Sequence, residues 1–278
     1  MNPILSICIP TFNRPEKIKL LLNFLEKDIL SNLNNIYDIE VIVGDNSSDE
    51  KTQKYCIEFL DKKSINFEYY RNEQNLGLVG NIISLYKKAK GEYCWFMGDD
   101  DIYHKDIIKE VYKCTKKSKF AYIFINHKAF SESDHNLGFE KALDNSAKDI
   151  YNDGKELAIK IWEQTETSLM FMSSSIHKRT CVRKAIESKK AVDIAYPLYL
   201  AFFSASQGKA KFINKIYIDN VWGEVSWENQ KSKIFNVMIP RILLKLPKLG
   251  YGFITSKKLL LVYLLPRIKG FLVRKIKG

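Results

Sequence analysis

A chain of 278 residues with 46% hydrophobic composition can bury one large core or two modest ones, which excludes a disordered or fibrous protein and leaves a globular protein of enzyme size. The formal net charge of +12 is unevenly placed: the last acidic residue is Glu228, and the fifty residues after it carry twelve lysines and arginines. Without those twelve, 32 basic residues face 32 acidic ones, so the body is neutral and the whole excess belongs to the tail.

In chain order, ILSICIP (4–10) is an apolar β-type run ended by proline, and NRPEKIKLLLNFLEK after it has helical spacing. Asn13 is expected to cap that helix, with Pro15 in the first turn and Glu16 three residues after the cap, as in a capping box. IEVIVGD (39–45) predicts a second strand, followed by NSSDE and the apolar-spaced KTQKYCIEFL. FEYYR predicts a third strand, and NLGLVGN opens a helix, IISLYKKAK, closed by Gly91 before the strand EYCWFM. Strand and helix alternate throughout, the pattern of βαβ units and a mainly parallel sheet whose strands are buried on both faces.

Beyond residue 106 the spacing predicts a helix near 106–117, a strand FAYIFIN (120–126), and a polar stretch, SESDHNLGFEKALDNSAKDIYNDG, read as a loop or insertion. A helix over 155–163 follows, then SLMFMSSSIHKR, where a strand is expected to end near Ser173–Ser175. From about 230, leucine-rich runs mix with lysines. The five cysteines are widely spaced and form no CxxC or Cys/His cluster, which argues against a disulfide framework or zinc site and fits a reducing compartment. The N-terminus has no basic n-region, and no run approaches the roughly 20 apolar residues of a spanning helix, so neither an export signal nor a transmembrane segment is expected.

Loops at the carboxyl ends of strands in an open parallel sheet meet at one edge, where ligands bind. Three such loops carry polar clusters: PTFNR after the first strand, GDNSSDE after the second and GDDDIY after the fourth. Singly, each is also readable as a cap, a turn or a solvated loop. Together at one edge they point to a site. Three adjacent carboxylates at the end of a buried strand repel one another unless a cation offsets them.

Residues 4 to about 106, in the text SICIPTFNRPEKIKLLL, EVIVGDNSSDE and NEQNLGLVGNIISLYKKAKGEYCWFMGDDDIYHKD, resemble the family 2 glycosyltransferases of GT-A fold, nearest in character to those that build bacterial surface polysaccharides such as O-antigen. The resemblance implies an α/β, Rossmann-like, mainly parallel sheet flanked by helices, with the basic amphipathic tail added. It implies a nucleotide-sugar-binding half (1–106), an acceptor-binding half (107–228) and a membrane-association tail (229–278). It places Pro10, Thr11, Asn13 and Arg14 along the nucleotide cleft, Asp45 on the base, and Asn75 and Gly77 near the sugar nucleotide. A divalent cofactor, manganese or magnesium, is implied at the aspartates.

The register there has two readings. As D-x-D the ligands are Asp99 and Asp101; aligned on the following Ile-Tyr, the family's first aspartate falls on Gly98 and the strongest ligand on Asp100. The second is preferred, with Asp99 near the ribose or first phosphate and Asp101 a second ligand or a structural partner. In the acceptor half, the family's Glu-Asp pair is missing: counting back from Gly208 reaches Tyr196 and Pro197. Asp193 is the nearest candidate for the general base, with Glu187, Glu224 and Glu228 further away.

His104 is within reach of the phosphates or the ion, or is a surface histidine; His127 and His177 read as packing or acceptor-side residues in preference to ligands. Trp222 and Trp227 are open between a sugar-stacking platform and buried packing. The tail suits either nucleic acid or a membrane surface, and its leucine content favours helices lying on an anionic bilayer. The expectation is therefore a cytoplasmic enzyme on the inner face of the cell membrane, moving a sugar from a nucleotide-diphosphate donor to a saccharide acceptor, lipid-linked, with inversion and without nucleic acid as a partner.

Overall fold

The structure, a computed structural model, describes residues 2–131, 137–188, 193–222 and 228–277. Strands β1 (Leu5–Thr11), β2 (Ile39–Asp45), β3 (Phe67–Arg71) and β4 (Tyr93–Phe96) form a parallel half-sheet in the order β3-β2-β1-β4. The second half adds β5 (Ile102–Tyr103), β6 (Tyr122–Ser131), β7 (Leu137–Phe139), β8 (Ile150–Tyr151), β9 (Ser175–Lys178) and β10 (Ala210–Trp222). β9 runs antiparallel between β4 and β6, whereas β6 and β10 are parallel, so the single sheet continues as β4-β9-β6-β10-β5.

Every residue of β1 and β2 is buried, as a strand covered on both faces requires. Their side chains alternate between two cores. Leu5, Ile7 and Ile9 face helices α1 (Pro15–Asn32), α2 (Glu50–Lys62) and α4 (Ile107–Thr115). Cys8 and Ile42 face the opposite core, with α3 (Gly77–Lys88), α5 (Gly154–Gln164), α6 (Arg179–Glu187) and α7 (Tyr196–Ala205). A Cβ at Gly44 would meet Asn81 Oδ1 at 2.5 Å and Leu85 Cγ at 2.7 Å, so only glycine lets α3 close on β2.

Three expectations are corrected. Asn13 does not cap α1: Arg14 is the cap residue without a side-chain bond, while Asn13, at φ 53°, receives Asp49 N–H on Oδ1 at 2.8 Å. The short polar side chain prefers the neighbouring loop to its own helix. Residues 172–174 are a 3₁₀ turn, and β9 begins at Ser175 instead of ending there. The polar stretch after 131 carries two short strands, β7 and β8, on the edges of β6 and β10.

The tail is not a loose appendage. A short α8 (Lys231–Lys233) runs through a π-helical turn, Ile234–Met238, into α9 (Ile239–Lys245), and α10 (Phe253–Lys277) follows. Ile234, Met238, Ile239, Ile242, Leu243, Leu246, Leu259 and Tyr263 all enter the core that holds Trp162 and Phe202. Trp162 Nε1 donates to the Leu259 carbonyl at 3.2 Å, and Tyr251 Oη donates to that of Phe202 at 2.8 Å. The break in charge at Glu228 is therefore crossed by continuous apolar packing.

Candidate active site

β1 and β2 end level, Thr11 pairing with Asp45, whereas β4 stops opposite Cys8, whose carbonyl accepts Met97 N–H at 3.0 Å, so the loop after β4 runs on beside the end of β1. The three polar loops leave from this edge. Pro10, buried and paired with Gly44, is the penultimate residue of β1, just before the first of them.

Arg14 gathers the acidic loop. Its Nη1 donates to Asp99 Oδ1 and to Asp100 Oδ2, both at 2.7 Å, and Thr11 Oγ1 donates to Asp99 Oδ2 at 2.6 Å. Asp99 is almost wholly buried, its side chain 3% exposed, whereas Arg14 is 31% and Asp100 39% exposed. Burial, reinforced by Asp100, pushes the Asp99 pKa up against the opposing pull of Arg14. Burial lowers that of Arg14, but the two carboxylates outweigh it and the net shift is upward.

Asp101 turns the other way. Its Oδ2 accepts a 2.6 Å bond from Ser173 Oγ, and the Val221 N–H also donates to its carboxylate. Ser173 Oγ in turn accepts Gly98 N–H at 2.9 Å and lies 3.1 Å from Tyr103 Oη, which donates to the Gly98 carbonyl at 2.9 Å. Burial first, and Asp100 second, raise the Asp101 pKa well above the usual carboxylate range. A Cβ at Gly98 would meet Asp101 Oδ2 at 2.7 Å and Asp100 Oδ1 at 3.0 Å, so a side chain there would require these carboxylates to turn aside. The three aspartates thus diverge, and among the described residues no group of three or more His, Cys, Asp or Glu side chains converges as a metal cage. Asp100 alone keeps its carboxylate in the open. One hard oxygen donor of this kind suits a magnesium- or manganese-like ion that draws its other ligands from substrate phosphates and water.

At the end of β2, Asp45 is fully buried, its Oδ1 accepting Ser48 N–H at 2.8 Å and its Oδ2 the Tyr69 hydroxyl at 2.6 Å. Burial and then Asp45 push the Tyr69 pKa upward, so the phenol stays protonated and donating. Asn13 N–H donates to Ser48 Oγ at 2.8 Å, and Ser47 holds φ 66°, so two non-glycine residues in left-handed conformation shape this rim. Asn75 Oδ1 accepts from Asn46 Nδ2 at 2.6 Å and from Gly77 N–H at 2.8 Å, which fixes the start of α3, where Gly77 has φ 68°. Asn46, Asn72 and Asn81 complete this amide network. No local spacing signals these roles for Asn46, Asn72, Asn81 or Ser173, because their partners come from other segments of the chain.

Asp193 does not meet the aspartate loop through any hydrogen bond or ion pair found among the described residues; its Oδ1 accepts Ala195 N–H at 3.1 Å at the start of α7. Tyr196, at the position of the family's glutamate, is buried, and its Oη is the sole buried side-chain polar atom among the described residues without a hydrogen-bond partner. Burial drives its pKa upward, which removes it as a base. Glu187 lies on α6 near Arg183, at 4.0 Å. Glu224 and Trp227 lie outside the described residues, as do the side chains of Glu228 and Trp222. His104 Nε2 lies 2.8 Å from Asp219 Oδ1, and Lys128 Nζ 3.0 Å from Asp219 Oδ2, so its partner is Asp219, not the aspartate loop. His127 and His177 are buried packing residues, each pushed by burial to a pKa of about 3.

Residues 6–179 match Glycosyl transferase family 2, well over half of the chain. The chain belongs to that family. Its mainly parallel sheet is the GT-A fold. The abequosyltransferase RfbV of Salmonella typhimurium is 32% identical over 124 residues, covering 41% of this transferase and 36% of the relative. A GalNAc(5)-diNAcBac-PP-undecaprenol beta-1,3-glucosyltransferase of Campylobacter jejuni is 31% identical over 157 residues, 53% of this transferase and 47% of the relative. The matched region thus spans less than half the length of either protein. Residues 1–349 of S. aureus TarS share the fold with a TM-score of 0.68 at 15% identity, covering 94% of this transferase and 70% of that chain. The mannosyltransferase PcManGT from Pyrobaculum calidifontis, solved with GDP-Man and Mn2+, superposes with a TM-score of 0.59 at 12% identity, covering 94% and 69%. No described helix of the transferase is long and apolar enough to cross a membrane.

Proposed function

We propose that this transferase moves a sugar from a nucleotide-diphosphate donor to a hydroxyl of a lipid-linked saccharide, inverting the anomeric centre, at the anionic inner face of a cell membrane during surface-polysaccharide synthesis. The observation that carries the donor site is the convergence of Thr11, Arg14, Asp99 and Asp100 at the carboxyl edge of the sheet, within 2.7 Å of one another in successive bonds. Pro10, Asn13 and Asp45 shape the base and ribose end, Asn75 and Gly77 present the α3 terminus to the sugar nucleotide, and Asp99 fixes Arg14. Asp100 would hold a manganese or magnesium ion, with Asp101 bracing the loop from behind. A divalent ion there supplies charge neutralisation for the departing diphosphate.

Arg14 carries a cation beside two carboxylates and is positioned to contact the phosphates as negative charge grows on the leaving oxygen. Asp193 would take the proton of the acceptor hydroxyl as that oxygen attacks the anomeric carbon. The relatives support the reading: one is named for transfer of abequose, and another for an undecaprenol-linked acceptor. The test is release of nucleoside diphosphate from a panel of nucleotide sugars, with manganese, with magnesium and with chelator. Turnover of one donor in metal and none in chelator is expected; binding of a donor without turnover on any lipid-linked acceptor would reduce the protein to a sugar-nucleotide binder.

A further inference from the structure

The longest apolar run of the tail, LLLVYLL (259–265), divides between two sides of α10. Leu259 and Tyr263 are fully buried against the body, together with Ser256 one turn earlier. Ile254, Leu261, Leu265 and Ile268 follow one another at spacings of seven, four and three, a single stripe on the far side of the helix. They are 83%, 55%, 51% and 50% exposed. One face of α10 thus belongs to the core, and a second apolar face is exposed.

The charge around that face identifies its occupant. Residues 229–278 contain twelve basic residues and no acid. Exposed Lys257 and Lys258 lie on either border of the stripe at the first turns of the helix. Lys257 Nζ sits 4.4 Å above the Phe253 ring, and Lys258 Nζ pairs with Glu163 at 2.6 Å. Arg267, on the buried side, is held by Glu166 at 2.8 Å. The acids that meet α10 therefore come from the α5 region behind the helix, and the stripe itself is bordered by cation.

We propose that α10 lies along an anionic lipid bilayer on the stripe Ile254, Leu261, Leu265 and Ile268, with its other face remaining packed in the core. This rests on the membrane-surface reading above and makes it specific: the leucines that enter lipid are those turned outward, and the tail anchors the folded body without leaving it. A bilayer fits where a second copy of the chain fits less well, because two such stripes would bring their basic borders together.

The experiment uses the full chain in flotation with phosphatidylcholine vesicles, with and without phosphatidylglycerol, beside the Leu261→Glu/Leu265→Glu variant. Both positions are exposed, so the fold is retained, and calorimetry with UDP and GDP reads the donor site separately. The intact protein should float with anionic vesicles, less so in high salt without complete loss. The double variant should partition at least about tenfold less, with nucleoside diphosphate affinity unchanged. Failure of the intact protein to float, or flotation of the variant equal to that of the parent, overturns the inference while leaving the transferase reading to its own assay. A dimer in sedimentation that the same substitutions dissolve, without flotation, assigns the stripe to a second copy and also overturns it.

Discussion

Ser173 Oγ donates a 2.6 Å hydrogen bond to Asp101 across 72 positions of sequence and, on its other side, accepts Gly98 N–H. One hydroxyl from the turn before β9 thereby fixes the backbone of the loop that presents Asp100. Ser173→Ala removes the donor to a buried carboxylate, which costs about 1–3 kcal/mol of stability. It should also loosen Asp100, and manganese affinity measured by calorimetry is expected to fall by several-fold. An unchanged manganese affinity in a destabilised Ser173→Ala protein would confine Ser173 to a packing role.

Asp100 is half-exposed, so Asp100→Asn should fold normally and leave the Arg14–Asp99 pair in place. The prediction is loss of manganese binding in paramagnetic-resonance titration and a fall in turnover of about 100-fold or more, as removal of an interaction used in the transition state produces. Retained binding in Asp100→Asn, with loss in Asp101→Asn, would return the ligand role to the residue that the structure ties to Ser173.

Asp45 is spent on Ser48 N–H and Tyr69, so its effect on nucleotide binding should run through the shape of the loop. Asp45→Asn is expected to weaken UDP or GDP binding by about tenfold and to lower stability by about 1–2 kcal/mol, since an amide replaces a buried charged acceptor. Tyr69→Phe, which breaks the same bond from the other side, should reproduce part of both effects. Calorimetry and urea midpoints on the two variants check this, and a binding defect in Asp45→Asn that Tyr69→Phe does not share would mean direct contact with the base.

What was legible in the sequence follows from range. β1 and β2 were read from apolar runs because a strand buried on both faces leaves no other composition open to it, and the three polar loops fell at one edge because parallel strands must end together. The cap at Asn13 was misjudged because its side chain serves the loop of Asp49, which local spacing does not encode. Ser173 was invisible for the same reason. The tail was read as amphipathic, but lysine and leucine spacing alone cannot say that Leu259 faces Trp162 while Leu261 faces outward.

His177 is buried with Nδ1 3.0 Å from Ser204 Oγ, and burial takes its pKa from 6.5 to about 3. The unfolded chain gains a proton below pH 6.5 that the folded protein refuses until about pH 3, so this contribution is complete above pH 6.5 and is lost as pH falls through that window. The slope is about 1.4 kcal/mol per pH unit. His177→Gln should therefore lose about 2 kcal/mol less than the parent between pH 7 and pH 5 in urea unfolding. Using the difference between the two proteins removes the opposing contribution of Asp99 and Asp101, whose raised values act in the other direction. Parallel losses in parent and variant would show that His177 titrates in the folded state.

The tail offers the sharpest test of how the body is built. Its charge suggests a segment that can be cut away at Glu228, yet Leu243, Leu246, Leu259 and Tyr263 are fully buried and Trp162 bonds to the Leu259 carbonyl. Each such side chain contributes about 1.5–3 kcal/mol by burial, so removing even four of them takes away an amount comparable to the whole stability of an ordinary domain, about 5–15 kcal/mol. Truncation before Lys231 should therefore give aggregated protein, with apolar surface around Trp162 and Phe202 laid open. Truncation after Ile268, which keeps every one of these contacts and also the outward stripe, should leave melting temperature within a few degrees of the full chain. Circular dichroism and thermal melts of both would decide it: a soluble, cooperatively melting protein ending at Gln230 would show that the apolar packing across the charge boundary is dispensable.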